Sequence, residues 1–185
     1  GMEGVRGQFC GGSLGTAEEK RRVGTGTWTA FGTTDPLSFA GGERIPGKLA
    51  EIPDPPYGIF YRGKLPDENE PAVAVIGARE CSEYGRYVAE ELGQYLGRAG
   101  IQVISGMARG IDAKGLEGAF AAGGRHCAVL GCGVDLCYPK ENRMLYQKLQ
   151  RKGALLSEYV PGTPPLAGNF PPRIGLSAHF QTWYL

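Results

Sequence analysis

The sequence predicts an α/β protein: a Rossmann-like, open, mostly parallel sheet with helices on both faces. Three observations carry this. Short apolar runs (AVAVI from Ala72, IQVI from Ile101, HCAVLG from His126 and ALLSEY from Ala154) alternate with helix-length segments at βαβ spacing. The runs are continuous rather than alternating, as strands buried on both faces are. Finally, the unusual motifs all fall at the carboxyl ends of these runs: GAR at 77–79, SGMARGID at 105–112, GCG at 131–133 and SEY at 157–159. Open sheets of this class hold their ligands at those ends.

The elements follow in order. Residues 1–48 are rich in Gly and Thr, with GTGTWTAFGTT from Gly24 to Thr34, and sustain neither a helical stripe nor strand alternation. They are expected to form a loosely organised or disordered extension. Residues 49–71 are a Pro-rich lead-in whose prolines at 53, 55, 56 and 66 exclude a central helix. GIFYRG within it reads as a short edge strand. Residues 72–171 form the core. After the first strand, Ser82 caps a helix that reaches Arg98, with Val88, Leu92 and Leu96 as its inward stripe, and Gly100 ends it. The second strand, IQVI, leads through the glycine turn into a helix from Asp112 to Ala122. The third strand leads through VDLCYP to a helix over Glu141–Gln150, and ALLSEY is the fourth strand. Residues 172–185 form an atypical tail.

Composition narrows the chemistry. With 185 residues the chain has room for one core domain and an appendage. Net charge is +1, but residues 1–71 carry eight Lys/Arg against ten Asp/Glu, and residues 72–185 carry twelve against nine. A mild positive bias in the core is compatible with a phosphate ligand. The five cysteines (10, 81, 127, 132 and 137) lack the paired spacing of a zinc site. With no secretory or membrane-spanning stretch, the expected setting is the cytoplasm, with reduced thiols. No GxGxxG follows the first strand and no GxxxxGK[ST] occurs, which argues against a dinucleotide oxidoreductase or a P-loop ATPase. Ser105 and Ser157 have no histidine partner in view, and His126 and His179 have no neighbours at ligand spacing.

The strand ends nominate a binding site. Arg79 and Arg109 each offer a fork of donors to a phosphate. Backbone N–H groups at Gly77 and from Gly106 to Gly110 open helices and suit an anion. Gly131 and Gly133 allow a ligand close to the third strand. The competing reading is that these glycines only satisfy tight turns and the arginines are solvated. Asp112, at the start of the second helix, is expected to cap it and to orient Arg109, with an acidic catalyst as the rival role. Glu158 is expected to pair with an arginine in the crevice, since an unpaired carboxylate repels phosphate. Two roles fit Tyr138: stacking on a base or plugging the sheet end.

These motifs resemble one family. VIGAR, a Tyr-Gly within the first helix, VISGMARGIDAKG, LGCGVD, YPKEN and LLSEYVPGTPPLAGNFP occur in the order seen in the DNA-processing protein A (DprA/Smf) family, over about residues 50 to 171. The resemblance implies a non-enzymatic, Rossmann-like, homodimeric protein that binds and protects single-stranded DNA. It also implies help in loading the RecA recombinase during DNA uptake and natural transformation, with neither metal nor cofactor. The family's positive pocket maps onto Arg79 and Arg109, with Gly77, Ser105, Gly106 and Gly110 beside them. The later motifs contribute Gly131, Gly133, Tyr138, Pro139, Lys140 and Asn142. An FP-x-R element matches Phe170, Pro171 and Arg173.

The chain departs from the pattern after Phe170. NFPPRIGLSAHFQTWYL replaces the family's basic, Asn-containing run, so the ending is expected to be truncated or altered, with the dimer and RecA surfaces in doubt. Two other functions compete. GGSLGTAEE, from Gly11 to Glu19, faintly resembles the glycine-rich turn of lysine-decarboxylase-like nucleoside monophosphate hydrolases, which would make Glu19 a catalyst. A truncated family member without function is the other.

Overall fold

The computed structural model describes residues 55–170 and, for two further strands, the backbone at 26–29 and 36–41. In chain order the elements are β1 (Gly26–Thr29), β2 (Pro36–Gly41), β3 (Gly58–Gly63), β4 (Ala72–Ala74), α1 (Glu83–Arg98), β5 (Gln102–Ser105), α2 (Ile111–Ala121), β6 (His126–Val129), α3 (Arg143–Lys152) and β7 (Ala154–Ser157). Single 3-10 turns lie at Lys140–Asn142 and Ala167–Asn169. The strands form one sheet in the order β1-β2-β3-β7-β6-β5-β4.

The four strands read from apolar runs are all parallel, each beside the next in sequence. β3 adds to β7 antiparallel, and β2 and β1 continue outward, also antiparallel. GIFYRG is therefore an interior strand and not the expected edge strand, because β2 pairs with its outer side. β1 and β2 come from the segment in which the sequence shows no sustained alternation.

Each crossover from β4 to β7 steps in the same direction, and right-handed connections then place every helix on the same side. Leu96 of α1, Leu116 and Ala119 of α2, and Leu145, Tyr146 and Leu149 of α3 accordingly share one buried cluster with Val73, Val103, Ala128 and Leu155. The intervening strand residues Ile59, Ile104, Cys127, Val129 and Leu156 form a second cluster. Of the two faces expected to carry helices, the described helices cover the first.

The inward ridge of α1 is Ala89, Gly93 and Leu96, while Val88 is 42% exposed and turned outward. Small residues win there because α1 and α2 approach closely. A Cβ on Gly93 would collide with the Gly115 carbonyl, and one on Gly118 with the Glu90 carbonyl. Lys114 ties the pair together, 3.3 Å from Glu90 and 2.8 Å from Glu117. Both carboxylates hold its ammonium pKa above the ordinary lysine range, the Glu117 hydrogen bond most strongly. Ser82 caps α1 as expected, its hydroxyl accepting from Gly85 N at 3.1 Å.

The amino ends of the strands are pinned by polar contacts. Gln102 accepts from Asp67 N at 2.8 Å and donates to Asp67 O at 2.7 Å. Arg125 pairs with Glu70 at 2.9 Å and Asp67 at 3.5 Å. These contacts fix the β3–β4 connection and leave the opposite, carboxyl ends to build the site.

Candidate nucleic-acid interface

The carboxyl end of the sheet is organised around Asp112. Its side chain is 2% exposed and accepts three backbone N–H bonds: Gly77 at 3.1 Å, Gly106 at 3.1 Å and Ala108 at 3.4 Å. This corrects two expectations. Asp112 does not cap α2, whose N-cap is Gly110 without a side-chain bond. Nor does it orient Arg109, whose ion pairs go elsewhere. The N–H groups of Gly77 and Gly106, expected to face a ligand anion, already serve an anion of the chain itself. Buried donors left without such a partner would each cost about 1–3 kcal/mol.

Other sequence-nominated residues also turn inward. Ser105 is fully buried and its hydroxyl donates to Val75 O at 2.6 Å, locking β5 to the end of β4. Asn142 donates to Met107 O at 2.9 Å and Ala108 O at 3.3 Å, so the YPKEN segment is fastened to the SGMARG turn. Gly110 has φ +79°, and a Cβ there would strike the carbonyls of Ala78 and Arg79. Only glycine lets these two loops touch. Gly131 and Gly133 admit the chain's own later segment rather than an outside ligand. A Cβ on Gly131 would meet the Phe170 ring at 3.0 Å, and one on Gly133 would meet Gly162 N at 2.8 Å.

Above this scaffold lies a cavity of about 150 Å³, lined by Arg79, Ala108, Arg109, Tyr138, Pro139, Glu141 and Phe170. Arg79 comes from the loop after β4, Arg109 from the loop after β5, and Tyr138 from the loop after β6. Phe170 follows the Ala167–Asn169 turn, which Asn169 anchors by donating to Gly131 O at 3.0 Å. The Arg79 guanidinium carbon sits 5.2 Å from the centre of the Phe170 ring, and Tyr138 packs on the same ring at 5.6 Å with a 34° tilt. Arg109 is 52% exposed and lies 3.8 Å from Glu80 and 3.9 Å from Glu141.

The structure thus brings together Arg79, Arg109, Tyr138, Pro139 and Phe170 of the sequence-nominated residues. Lys140 is exposed and Glu158 is exposed, and neither lines the cavity. Pro171, Arg173, His179 and the GGSLGTAEE stretch lie outside the described residues. Glu80 and Glu141 were not singled out, although each stands beside a motif residue, in GARE and YPKEN.

Ligand pockets for whole small molecules run to about 300–1,000 Å³. This cavity is smaller and carries exposed guanidinium and aromatic groups at its mouth. Ser157, buried, donates to Cys132 O at 2.7 Å and accepts from Tyr159 N at 3.0 Å, a structural arrangement. His126 lies at the amino end of β6, the far end of the strand. Among the described residues no group of His, Cys, Asp and Glu gathers as metal ligands do, and no helix is long and apolar enough to cross a membrane.

Comparison with known proteins agrees with the motifs. The family model described as DNA recombination-mediator protein A matches residues 37–178. Protein Smf of Synechocystis sp. is 40% identical over 133 residues, which cover 69% of this chain and 33% of that protein. DNA processing protein DprA of Streptococcus pneumoniae is 41% identical over 128 residues, covering 69% of this chain and 45% of that one. The chain therefore spans less than half the length of these two relatives. The solved structure of the pneumococcal DprA superposes with a TM-score of 0.72 and 36% identity, over 77% of this chain and 51% of that one. DNA processing protein A from Helicobacter pylori, solved to explain that protein's single-stranded DNA binding mode, superposes with a TM-score of 0.70 and 28% identity, over 77% and 66% of the two chains. From the SGMARGID turn to the Phe170 loop, motif order, fold and likeness coincide, and the chain belongs to the DNA recombination-mediator protein A (DprA/Smf) family.

Proposed function

We propose that this chain binds single-stranded DNA, without strong base preference, across the carboxyl ends of β4, β5 and β6. In its complete context it acts as a cytoplasmic homodimer that protects incoming strands and helps load the RecA recombinase, without catalysis of its own. One observation carries the reading: Arg79 and Arg109, from two separate loops, reach the same cavity as the aromatic pair Tyr138 and Phe170. Guanidinium groups hold phosphates whatever the base. Exposed rings accept any base by stacking, since every base has a π-face.

The small cavity supports a strand laid over the mouth rather than a nucleotide swallowed whole. Because Asp112 already uses the N–H groups of Gly77, Gly106 and Ala108, side-chain cations and rings supply most of the affinity in this reading. Among the described residues the cavity has one acidic lining residue, Glu141, and it is engaged with Arg109, which gives the nucleotide-hydrolase alternative little support there.

The test is a titration of oligo-dT at low and at moderate salt. Binding should weaken with a log–log slope of about −0.7 for each phosphate neutralised. Absence of binding at low salt would overturn the proposal. Conversion of nucleoside monophosphates by the purified chain would favour the hydrolase.

A further inference from the structure

The carboxylates at the mouth support an inference that rests on the single-strand reading and extends it. Arg109 lies between Glu80 Oε1, 3.8 Å from Nη2, and Glu141 Oε1, 3.9 Å from Nη1. Neither pair is within hydrogen-bond range, so both carboxylates hold the guanidinium through charge. Both carboxylates are largely exposed, at 85% and 64%, and they come from different segments, one in the loop after β4 and one in the YPKEN turn. Their arrangement differs from that of Asp112, which has three N–H donors and no competitor. Glu80 and Glu141 share Arg109, one of the two guanidiniums offered to a phosphate.

We propose that Glu80 and Glu141 are intramolecular competitors for Arg109 that keep a bound strand exchangeable. When a phosphate arrives, the guanidinium must leave both carboxylates, which then face water and the incoming negative charge. When the phosphate leaves, the carboxylates recapture Arg109 without waiting for an ion from solution. The consequence is weaker affinity, expressed mainly as faster release. It suits a protein whose strand has to be passed on rather than stored. Arg79 has different surroundings: its guanidinium carbon lies 5.2 Å from the centre of the Phe170 ring.

Exposed ion pairs are individually weak, so the expected effects are modest and measurable. Glu80→Gln and Glu141→Gln should each tighten oligo-dT binding about threefold, and the double variant about tenfold, chiefly through a slower off-rate. The salt dependence of the double variant should also steepen, by up to about 0.7 in log–log slope, because no carboxylate then takes up a cation on binding. The decisive arm is Arg109→Ala: in that background the Glu→Gln changes should lose their effect. The inference is overturned if the double variant binds and releases oligo-dT as the unaltered chain does. It is also overturned if the full tightening persists without Arg109, because the carboxylates then act as a general field. Failure of the unaltered chain to bind oligo-dT at low salt overturns the single-strand reading instead.

Discussion

Two carboxylate arrangements lie close together at the carboxyl end of the sheet, one served by neutral N–H groups and one by a guanidinium, and they behave as opposites. Beneath the cavity, Asp112 is buried and saturated by the N–H groups of Gly77, Gly106 and Ala108. At its mouth, Arg109 is half exposed between two carboxylates that lie 3.8 and 3.9 Å away. The buried set is short, directional and closed to any newcomer. The exposed set is long, undirected and open to exchange. In sequence both belong to one turn, SGMARGID, and only Gly110 and Ile111 separate Arg109 from Asp112. A glycine-rich turn at a strand end can therefore be a lock on one side and a landing place on the other.

The largest expected effect comes from opening the lock. Asp112→Ala removes the acceptor of two buried N–H groups, Gly106 and Ala108, and of the more exposed Gly77 N–H, and should destabilise the fold by about 2 kcal/mol or more, read as a lower denaturant midpoint. Asp112→Asn keeps one acceptor oxygen but sets an NH2 against N–H donors, so it should recover only part of the loss. A stability change under about 1 kcal/mol for Asp112→Ala would mean that water replaces the carboxylate freely, and the contrast between the two arrangements would collapse.

Arg109→Ala and Arg79→Ala should show the converse pattern. Each should weaken oligo-dT binding about tenfold, roughly 1.4 kcal/mol, with the unfolding midpoint unchanged. The loss should be the same for different base compositions, since phosphate contacts carry no sequence information. Arg79→Ala should also release Phe170 from its cation–π contact, which circular dichroism in the aromatic region would register.

A smaller effect tests the seam between the two. Gly131→Ala places a methyl 3.0 Å from the Phe170 ring, so the ring or the strand end must give. The expected cost is about 1 kcal/mol of stability. A severalfold weaker hold on oligo-dT should accompany it, because Phe170 carries both Arg79 and Tyr138. If stability falls and binding does not, Phe170 belongs to the scaffold and not to the mouth.

How much of this was legible in the sequence follows the same division. AVAVI, IQVI, HCAVLG and ALLSEY declared the four parallel strands because strands buried on both faces are continuous apolar runs. The outer strands did not declare themselves. PLSFAG offers only Leu37 and Phe39 in alternation, and GTWT is too short to show a period. Val88 misled because a four-residue apolar spacing outweighed the small residues Ala89 and Gly93, which close helix packing selects. At the site, Arg79 and Arg109 were readable because charged residues in glycine loops have few structural uses. The inward turn of Asp112, Ser105 and Asn142 was not readable, because a capping residue and a hub residue look alike until the neighbouring strands are in place. Glu80 and Glu141 went unnoticed for a related reason: exposed glutamates are common, and only their convergence on one guanidinium gives them meaning.

The smallest effect concerns a polar group that is buried like Asp112 but incompletely served. His126 is 5% exposed, its Nδ1 is 2.8 Å from Gly124 O, and its Nε2 is buried without a partner. Burial holds its pKa below the ordinary 6.5, the Gly124 carbonyl opposing this only in part. The Phe120 ring lies 5.4 Å from the imidazole at 82°, and Lys148 and Lys152 lie over that same ring. Below pH 6.5 the unfolded chain therefore binds a proton more readily than the folded one. The stability from the neutral imidazole is complete above that pH and is lost as the pH falls through the window down to the folded value. Denaturant midpoints taken across this window should fall with acidification, and His126→Leu should flatten that part of the profile. The Asp112→Asn variant should retain the His126 dependence, since the two groups sit at opposite ends of the strands and share no partner. An unaltered profile in His126→Leu would assign the acid sensitivity to the carboxylates, and the distinction between a saturated and an unsaturated buried group would then have no thermodynamic expression in this fold.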